Sequence, residues 1–299
     1  MENNYDTRTM TFRKHAIISM SDANCGDFAV QHWCRSLVDN VNLQDVDVIF
    51  LDYGLTPSQR KQLENQGVEC RSCVKEGWIG TMLWRDMAAF LSERSYDQVL
   101  TTDAGDLIFQ SDIRHLFDQD KDAFRAVCED FDTCIHDVVM SRADFEPDNW
   151  NKLHAFLKDK PVINTAVVLA PAEKFIQLWE TFQKWCHRYD VYASDQFLAN
   201  YIIYQDRFVP LDSKYNFVFI STNQPYRIRD GIFVDQNDVV IPIVHNAGGN
   251  EYYRFVKNFG YGKGYNQRKI FTPTIIRSLC RLAQWYKSVR SMTPIDNRS

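Results

Sequence analysis

The stretch YDQVLTTDAGDLIFQSDI, residues 96 to 113, decides how the rest of the chain is read. An apolar run, Val99-Leu100-Thr101-Thr102, drops straight into two carboxylates, Asp103 and Asp106, with Gly105 between them. A second apolar run, Leu107-Ile108-Phe109, follows at once. Two acids at the carboxyl end of a strand can hold a hard divalent cation through oxygen. Such a cation can neutralise a diphosphate and stabilise it as a leaving group. Gly105 is expected to let the backbone turn sharply and approach a ligand. The competing reading is a solvated turn in which Asp103 caps local amides.

Upstream of this stretch, strand and helix patterns alternate. HAIISMS (15–21), DVDVIFLD (45–52), VECRSCV (68–74) and YDQVLTT (96–102) read as strands. Residues 27 to 39 read as a helix, with Phe28, Trp33, Leu37 and Val38 available for one face. TPSQRKQLENQG is a helix with Thr56 as N-cap, Pro57 at the first turn, Gln59 completing a capping box and Gly67 past the end. IGTMLWRDMAAFL is a third helix. This alternation predicts an α/β fold with a mostly parallel central sheet flanked by helices. Ligands of such sheets bind beyond the carboxyl ends of the strands, which puts 21–26, 74–78 and 103–106 in one crevice. Further on, 161–170 reads as a strand, Pro171 opens a helix through His187, SDQFLANYII is a helix, and VVIPIVHNAGG is a late strand.

The 299 residues, 45% hydrophobic and 24% charged, suit one large domain or two small ones. The eight cysteines are scattered, and Cys70–Cys73 is a single CxxC without a second pair at zinc spacing, so a reducing, cytoplasmic setting is expected. No run reaches the length of a membrane span, and the first residues lack the apolar core of a signal peptide. The net charge of −5 hides a step: residues 1–251 carry −14 and residues 252–299 carry +9.

His245 ends an apolar run and precedes Gly248 and Gly249, so it can reach a cation held by other loops. A hydrogen-bonded histidine at a strand terminus is the alternative. Together, and in this order, the motifs resemble GT-A glycosyltransferases, most like the retaining sugar-nucleotide transferases grouped as family 8. The resemblance runs from SMSDANCGDF through Arg85, which lies 18 residues before Asp103, to VLTTDAGD. It continues through INTAVVL with Asn164, the Asp195-Gln196 pair, VPLDSKYNF with Tyr215-Asn216, and His245 to Gly248, and covers roughly residues 15 to 255.

The resemblance implies a Rossmann-like GT-A domain over residues 1–250, with a nucleotide-sugar half over about 15–110 and an acceptor half over about 111–250. Residues 251–299 form a basic helical C-terminal extension. It implies a nucleotide diphospho-sugar donor, UDP-linked, held by Ser21, Asp22, Ala23, Arg85, Asp103, Ala104, Gly105, Asn164 and Gly248. Mn2+ or Mg2+ would sit on Asp103, Asp106 and His245. Asp195, Asn164 and Gln196 would line the reacting sugar, with retention of configuration. For three of these residues a plainer role competes: an ion pair with Asp86 or a surface acid for Arg85, strand-edge satisfaction for Asn164, and support of the helix start for Asp195. A core role competes likewise for Trp78.

Three departures from the family pattern stand out. Gly105 takes the place of the second metal aspartate, Ala166 that of a glycine, and Glu251 that of the lysine that grips the diphosphate. Arg254, Lys257 or Lys263 could supply that cation instead. The departures also motivate a non-catalytic nucleotide-sugar or carbohydrate-binding protein as the alternative. A phosphohydrolase ranks lower, because its acids follow the first strand. The acceptor is open among carbohydrate, lipid-linked and protein groups. In the basic C-terminal segment Ile275, Ile276, Leu279, Leu282, Tyr286 and Val289 fall at helical spacing, which suits an anionic membrane surface or the acidic body of the protein itself. No nucleic-acid module surrounds it.

Overall fold

A computed structural model describes residues 14–129, 145–191, 194–248 and 254–271, and beyond these 274–276, 278–279, 281–282 and 285. The first half is built as the alternation predicts. Strand β1 (His15–Ser21), β2 (Val46–Asp52), β3 (Glu69–Ser72) and β4 (Gln98–Asp103) pair in parallel. They join a seven-stranded sheet ordered β3-β2-β1-β4-β7-β6-β8, with β6 (Phe124–Cys128), β7 (Ile163–Pro171) and β8 (Phe208–Pro210). Only β7 runs against the rest: it is antiparallel to β4 and β6, while β6 and β8 are parallel. Apolar side chains of β1, β2 and β4 are buried on both faces, which is why these strands read as continuous apolar runs.

The helix after β1 starts earlier than its periodicity suggests. Asp22 caps it by accepting from the Asn24 N–H at 3.0 Å, and it runs as α1 (Ala23–Phe28), a π-helical segment (Ala29–Cys34) and α2 (Arg35–Asn40). Val38, expected on its inner face, is exposed, because the π segment shifts the register of the buried stripe. The helix α3 (Pro57–Glu64) carries the full Thr56–Gln59 capping box. Next comes α4 (Ile79–Ser92), then α5 (Pro147–Leu157), α6 (Ala172–Trp185) and α7 (Ser194–Gln205).

A second sheet positions the site. β5 (Leu107–Phe109) pairs antiparallel with β12 (Ile243–His245), which follows the hairpin of β10 (Tyr226–Arg229) and β11 (Ile232–Asp235), and β12 pairs in parallel with β9 (Phe217–Val218). The late strand is therefore shorter than VVIPIVHNAGG suggests: Val239 is exposed, and Pro242 has no N–H for a ladder. Behind this sheet Ile108, Phe217 and Val244 pack with Phe255, Val256, Phe259 and Ile276, so the chain after residue 254 contributes to the core.

Candidate active site

Register alone brings distant residues to one edge. Met20 lies opposite Asp103, and Ser21 opposite Asp52, so β1, β2 and β4 end at one level. Thr102 lies opposite Val167 on the reversed strand β7, so the beginning of β7, Asn164 to Ala166, reaches the same edge. The result is a crevice of about 320 Å3, within the usual size of a small-molecule site. Ser21, Asp22, Trp78, Asp103–Asp106, Asn164, Asp195, Gln196, His245 and Gly248 all line it. All three loops expected to share a crevice contribute to it.

The turn carrying the acids is clamped at both ends by the helix after β1. Trp33, in the π segment, donates its indole N–H to Thr102 Oγ1 at 3.0 Å. Ser36 Oγ accepts the Phe109 N–H at 3.0 Å. Gly105 is not in the left-handed region, so a sharp turn is not its reason. A Cβ there would stand 3.2 Å from Cys25 Sγ, so close packing against that thiol is.

Pairing of β5 with β12 then sets His245 beside Asp106. The Asn246 N–H donates to the Asp106 carbonyl at 2.9 Å, and His245 Nε2 lies 3.1 Å from Asp106 Oδ1. One ligand atom each from Asp103, Asp106 and His245 falls within 4.8 Å of the others. Two carboxylates and an imidazole at this spacing could hold a divalent cation. The electrostatics agree with a site short of positive charge. Burial, and then repulsion from Asp106, pushes Asp103 up to about 6. Burial lowers the affinity of His245 for a proton, but Asp106, Asp103 and Glu129 outweigh it and raise its pKa.

On the opposite wall, Asn200 binds both the N–H and the carbonyl of Ile163, at 2.7 and 2.8 Å. This buried clasp locks α7 to the start of β7 and sets Asp195 and Gln196 near Asn164. Burial, and then the charge of Asp103, pushes Asp195 up to about 7, and its Oδ1 is buried without a partner. The Trp78 indole hydrogen-bonds the Asp195 carboxylate. Gly80 makes room for both: a Cβ there would stand 2.6 Å from Trp78 Nε1 and 2.8 Å from Asp195 Oδ2.

Among solved structures the chain is similar to an active-site mutant of LgtC, at 13% identity and a TM-score of 0.52, covering 89% of this chain and 95% of that one. It is similar to the galactosyltransferase LgtC in complex with donor and acceptor sugar analogs, at 14% identity, the same coverage and a TM-score of 0.50. It also matches the apo form of WbbM, a bifunctional glycosyltransferase, at 13% identity and a TM-score of 0.53, over 97% of this chain and 52% of that one. The chain has the GT-A fold. It spans about half the length of WbbM. No protein-family model and no curated protein matches the sequence.

Within this GT-A chain two expected donor contacts do not reach the crevice. The guanidinium of Arg85 binds Asp86 at 2.8 and 3.1 Å, the carboxylate of Glu76 and the carbonyl of Val74. Gly80, Leu83 and Trp84 share the crevice face of α4 by helical spacing, and Arg85 is turned away from it. Ala23 is in the first turn of α1, where its carbonyl accepts from Gln59 Nε2, and it does not line the crevice. Asp22 does, and Lys75 binds it at 3.0 Å across two of the loops. Burial opposes its charge, but Lys75 and the Asn24 N–H hold it below the usual carboxylate range.

Of the three candidate cations, Arg254 lines the crevice, 3.4 Å from Asp106 Oδ2, whereas Lys257 and Lys263 are exposed elsewhere. Glu251 lies outside the described residues. Burial pushes the Cys70 and Cys73 thiols up to about 11 and about 12, which agrees with a structural strand end. Sequence reasoning overlooked Gly80, Asn200 and Glu129. The capping and strand patterns carry no sign of their long-range partners.

Proposed function

We propose that this protein is a metal-dependent glycosyltransferase that moves a sugar from a nucleotide diphospho-sugar, with a UDP-sugar the expected donor. The observation that carries the reading is the convergence of Asp103, Asp106 and His245 at the strand ends of a GT-A sheet. Asp106, one residue beyond the usual position, supplies the second carboxylate, so Gly105 need not. The nucleotide would lie against Ser21, Asp22 and the 103–106 turn. A bound Mn2+ or Mg2+ would supply charge neutralisation of the diphosphate. Among the described residues, Arg254 is the cation best placed to share that task, since it already faces Asp106 from the crevice wall.

Asp195 is the proposed partner of the reacting sugar carbon, with Gln196 and Asn164 beside it. Its unpartnered Oδ1 resists ionisation while the site is empty. Positive charge developing on the sugar would relieve that penalty, so Asp195 stabilises the transition state more than the ground state. By the resemblance to family 8, the transfer is proposed to retain the anomeric configuration.

The same reading places the protein in the cytoplasm, reaching an anionic membrane surface through its C-terminal segment. No helix among the described residues is long and apolar enough to cross a membrane. Ile276 is buried in the core behind the second sheet, while Ile270, Phe271, Ile275, Leu279 and Leu282 are exposed beside the exposed Arg268 and Arg281. A docked helix with an apolar outer face and basic neighbours suits the headgroup region.

The test is release of nucleotide from UDP-glucose, UDP-galactose, UDP-N-acetylglucosamine and GDP-sugars. Release from at least one, present with Mn2+ and absent in excess chelator, is expected. Tight binding of a sugar nucleotide without any release would favour the non-catalytic alternative.

A further inference from the structure

A buried ladder of amides runs from the wall of the crevice to His245, and its direction is fixed by the backbone. The Ala166 N–H can only donate, and it donates to Asn164 Oδ1 at 3.0 Å. That identifies the Asn164 oxygen and turns its Nδ2 toward Glu129 Oε1, at 2.7 Å. Asn216 Nδ2 donates to the same Asn164 oxygen at 2.9 Å. Its own oxygen therefore faces His245 Nδ1, at 3.0 Å. An amide oxygen accepts and never donates, so His245 Nδ1 carries the proton. Nε2, on the far side of the ring, faces Asp106.

Burial makes this arrangement rigid. Asn216 is 1% exposed, His245 3% and Asn164 6%, so reversing any one amide would leave buried donors and acceptors facing their own kind. Asn164 has already used both acceptor positions and one of its two N–H groups, which leaves a single N–H for any ligand in the crevice.

We infer that Asn216 is a positioning residue that holds His245 with its Nε2 lone pair toward the cation, and that Asn164 and Glu129 brace Asn216 in that orientation. The inference rests on the proposed cation site. It assigns Asn164 a mainly orienting role, in place of the sugar contact expected of it. Partners that fix the ring orientation of a metal-binding histidine typically contribute roughly 10–100-fold in affinity.

The test uses the full chain and Mn2+ alone, with binding followed by the loss of the free-ion electron paramagnetic resonance signal at pH 8. Asn216→Leu, close in size but without an acceptor, should weaken Mn2+ binding by roughly 10–100-fold. Asn216→Asp keeps an acceptor for Nδ1 but sets its second oxygen against Asn164 Oδ1, so its affinity should fall between those of Asn216→Leu and the unmodified chain. A folded Asn216→Leu protein that binds Mn2+ as well as the unmodified chain overturns the inference and leaves the cation site standing. An unmodified chain that binds no Mn2+ removes the cation site and the inference with it. Should Asn216→Leu not fold, the imidazole nitrogen spectrum of the unmodified protein loaded with Mg2+ decides. A proton on Nδ1 of His245 supports the assignment, and a proton on Nε2 overturns it.

Discussion

Asp106 is the residue on which the cation site turns. Asp103→Asn and Asp106→Asn should weaken Mn2+ binding to a similar extent, as measured by titration calorimetry. A loss confined to Asp103→Asn would mean that Asp106 serves only Arg254 and the backbone. Because Asp103 is held up to about 6, protons compete with the ion at moderate acidity. His245 must also shed a proton to ligate, and its pKa is raised, so Mn2+ affinity should already fall as pH drops toward neutrality, and by more than about tenfold per unit below about 6. Asp195 gives a second pH signature, in the stability of the ligand-free chain. Its carboxyl moves from 3.8 to about 7, so the folded state binds more protons than the unfolded state between those values. Stability is thus lost as pH rises through that window, and the penalty is complete above pH 7. Asp195→Asn should raise the melting temperature at pH 8, lose that advantage near pH 4, and abolish transfer at any pH. An equal melting temperature at pH 8 would contradict the assigned environment.

Between elements, the decisive contacts join parts of the chain that lie far apart in sequence. Gly80 in α4 is a direct probe of them. Alanine favours a helix over glycine by about 1 kcal/mol, so Gly80→Ala should not destabilise the fold by propensity. The new Cβ would nonetheless press on Trp78 Nε1 and Asp195 Oδ2 at 2.6 and 2.8 Å. Displacement of Asp195 on that scale should cost on the order of 100-fold in turnover, while Mn2+ affinity is kept. Unchanged turnover would mean that the Trp78–Asp195 contact has no part in the reaction. The same contacts explain what could be read beforehand. The strands β1, β2 and β4, the capping box of α3 and the aspartate turn are written in local periodicity and turn chemistry, and so were legible. Asp103, Asp106 and His245 were legible as separate strand-end residues, and their meeting depended on β5 pairing with β12. The reversal of β7, the Asn200 clasp and the π segment around Trp33 arise from tertiary contacts that no local pattern encodes. For Arg85 the ion pair with Asp86 is the role found and the donor contact is not, because a motif fixes its position along α4 but not the side to which it turns.

For the whole molecule, the charge step between the acidic body and the basic C-terminal segment should appear as salt-dependent binding to vesicles. Vesicles of phosphatidylserine and phosphatidylcholine should hold the protein at low ionic strength and release it as salt rises, since each basic residue near such a surface adds about 1 kcal/mol. Joint replacement of Ile275, Leu279 and Leu282 by serine should remove the binding without unfolding the chain, because Ile276 alone of these neighbours lies in the core. Retained binding after that replacement would contradict the membrane role. The crevice is proposed to hold a nucleotide diphosphate through a cation on Asp103, Asp106 and His245. Calorimetric titration of UDP into the unmodified chain, with Mn2+ and then in excess chelator, tests it most directly. Binding is expected only with Mn2+, and should be lost in Asp103→Ala; equal binding of UDP in excess chelator would mean that the diphosphate is held without the cation.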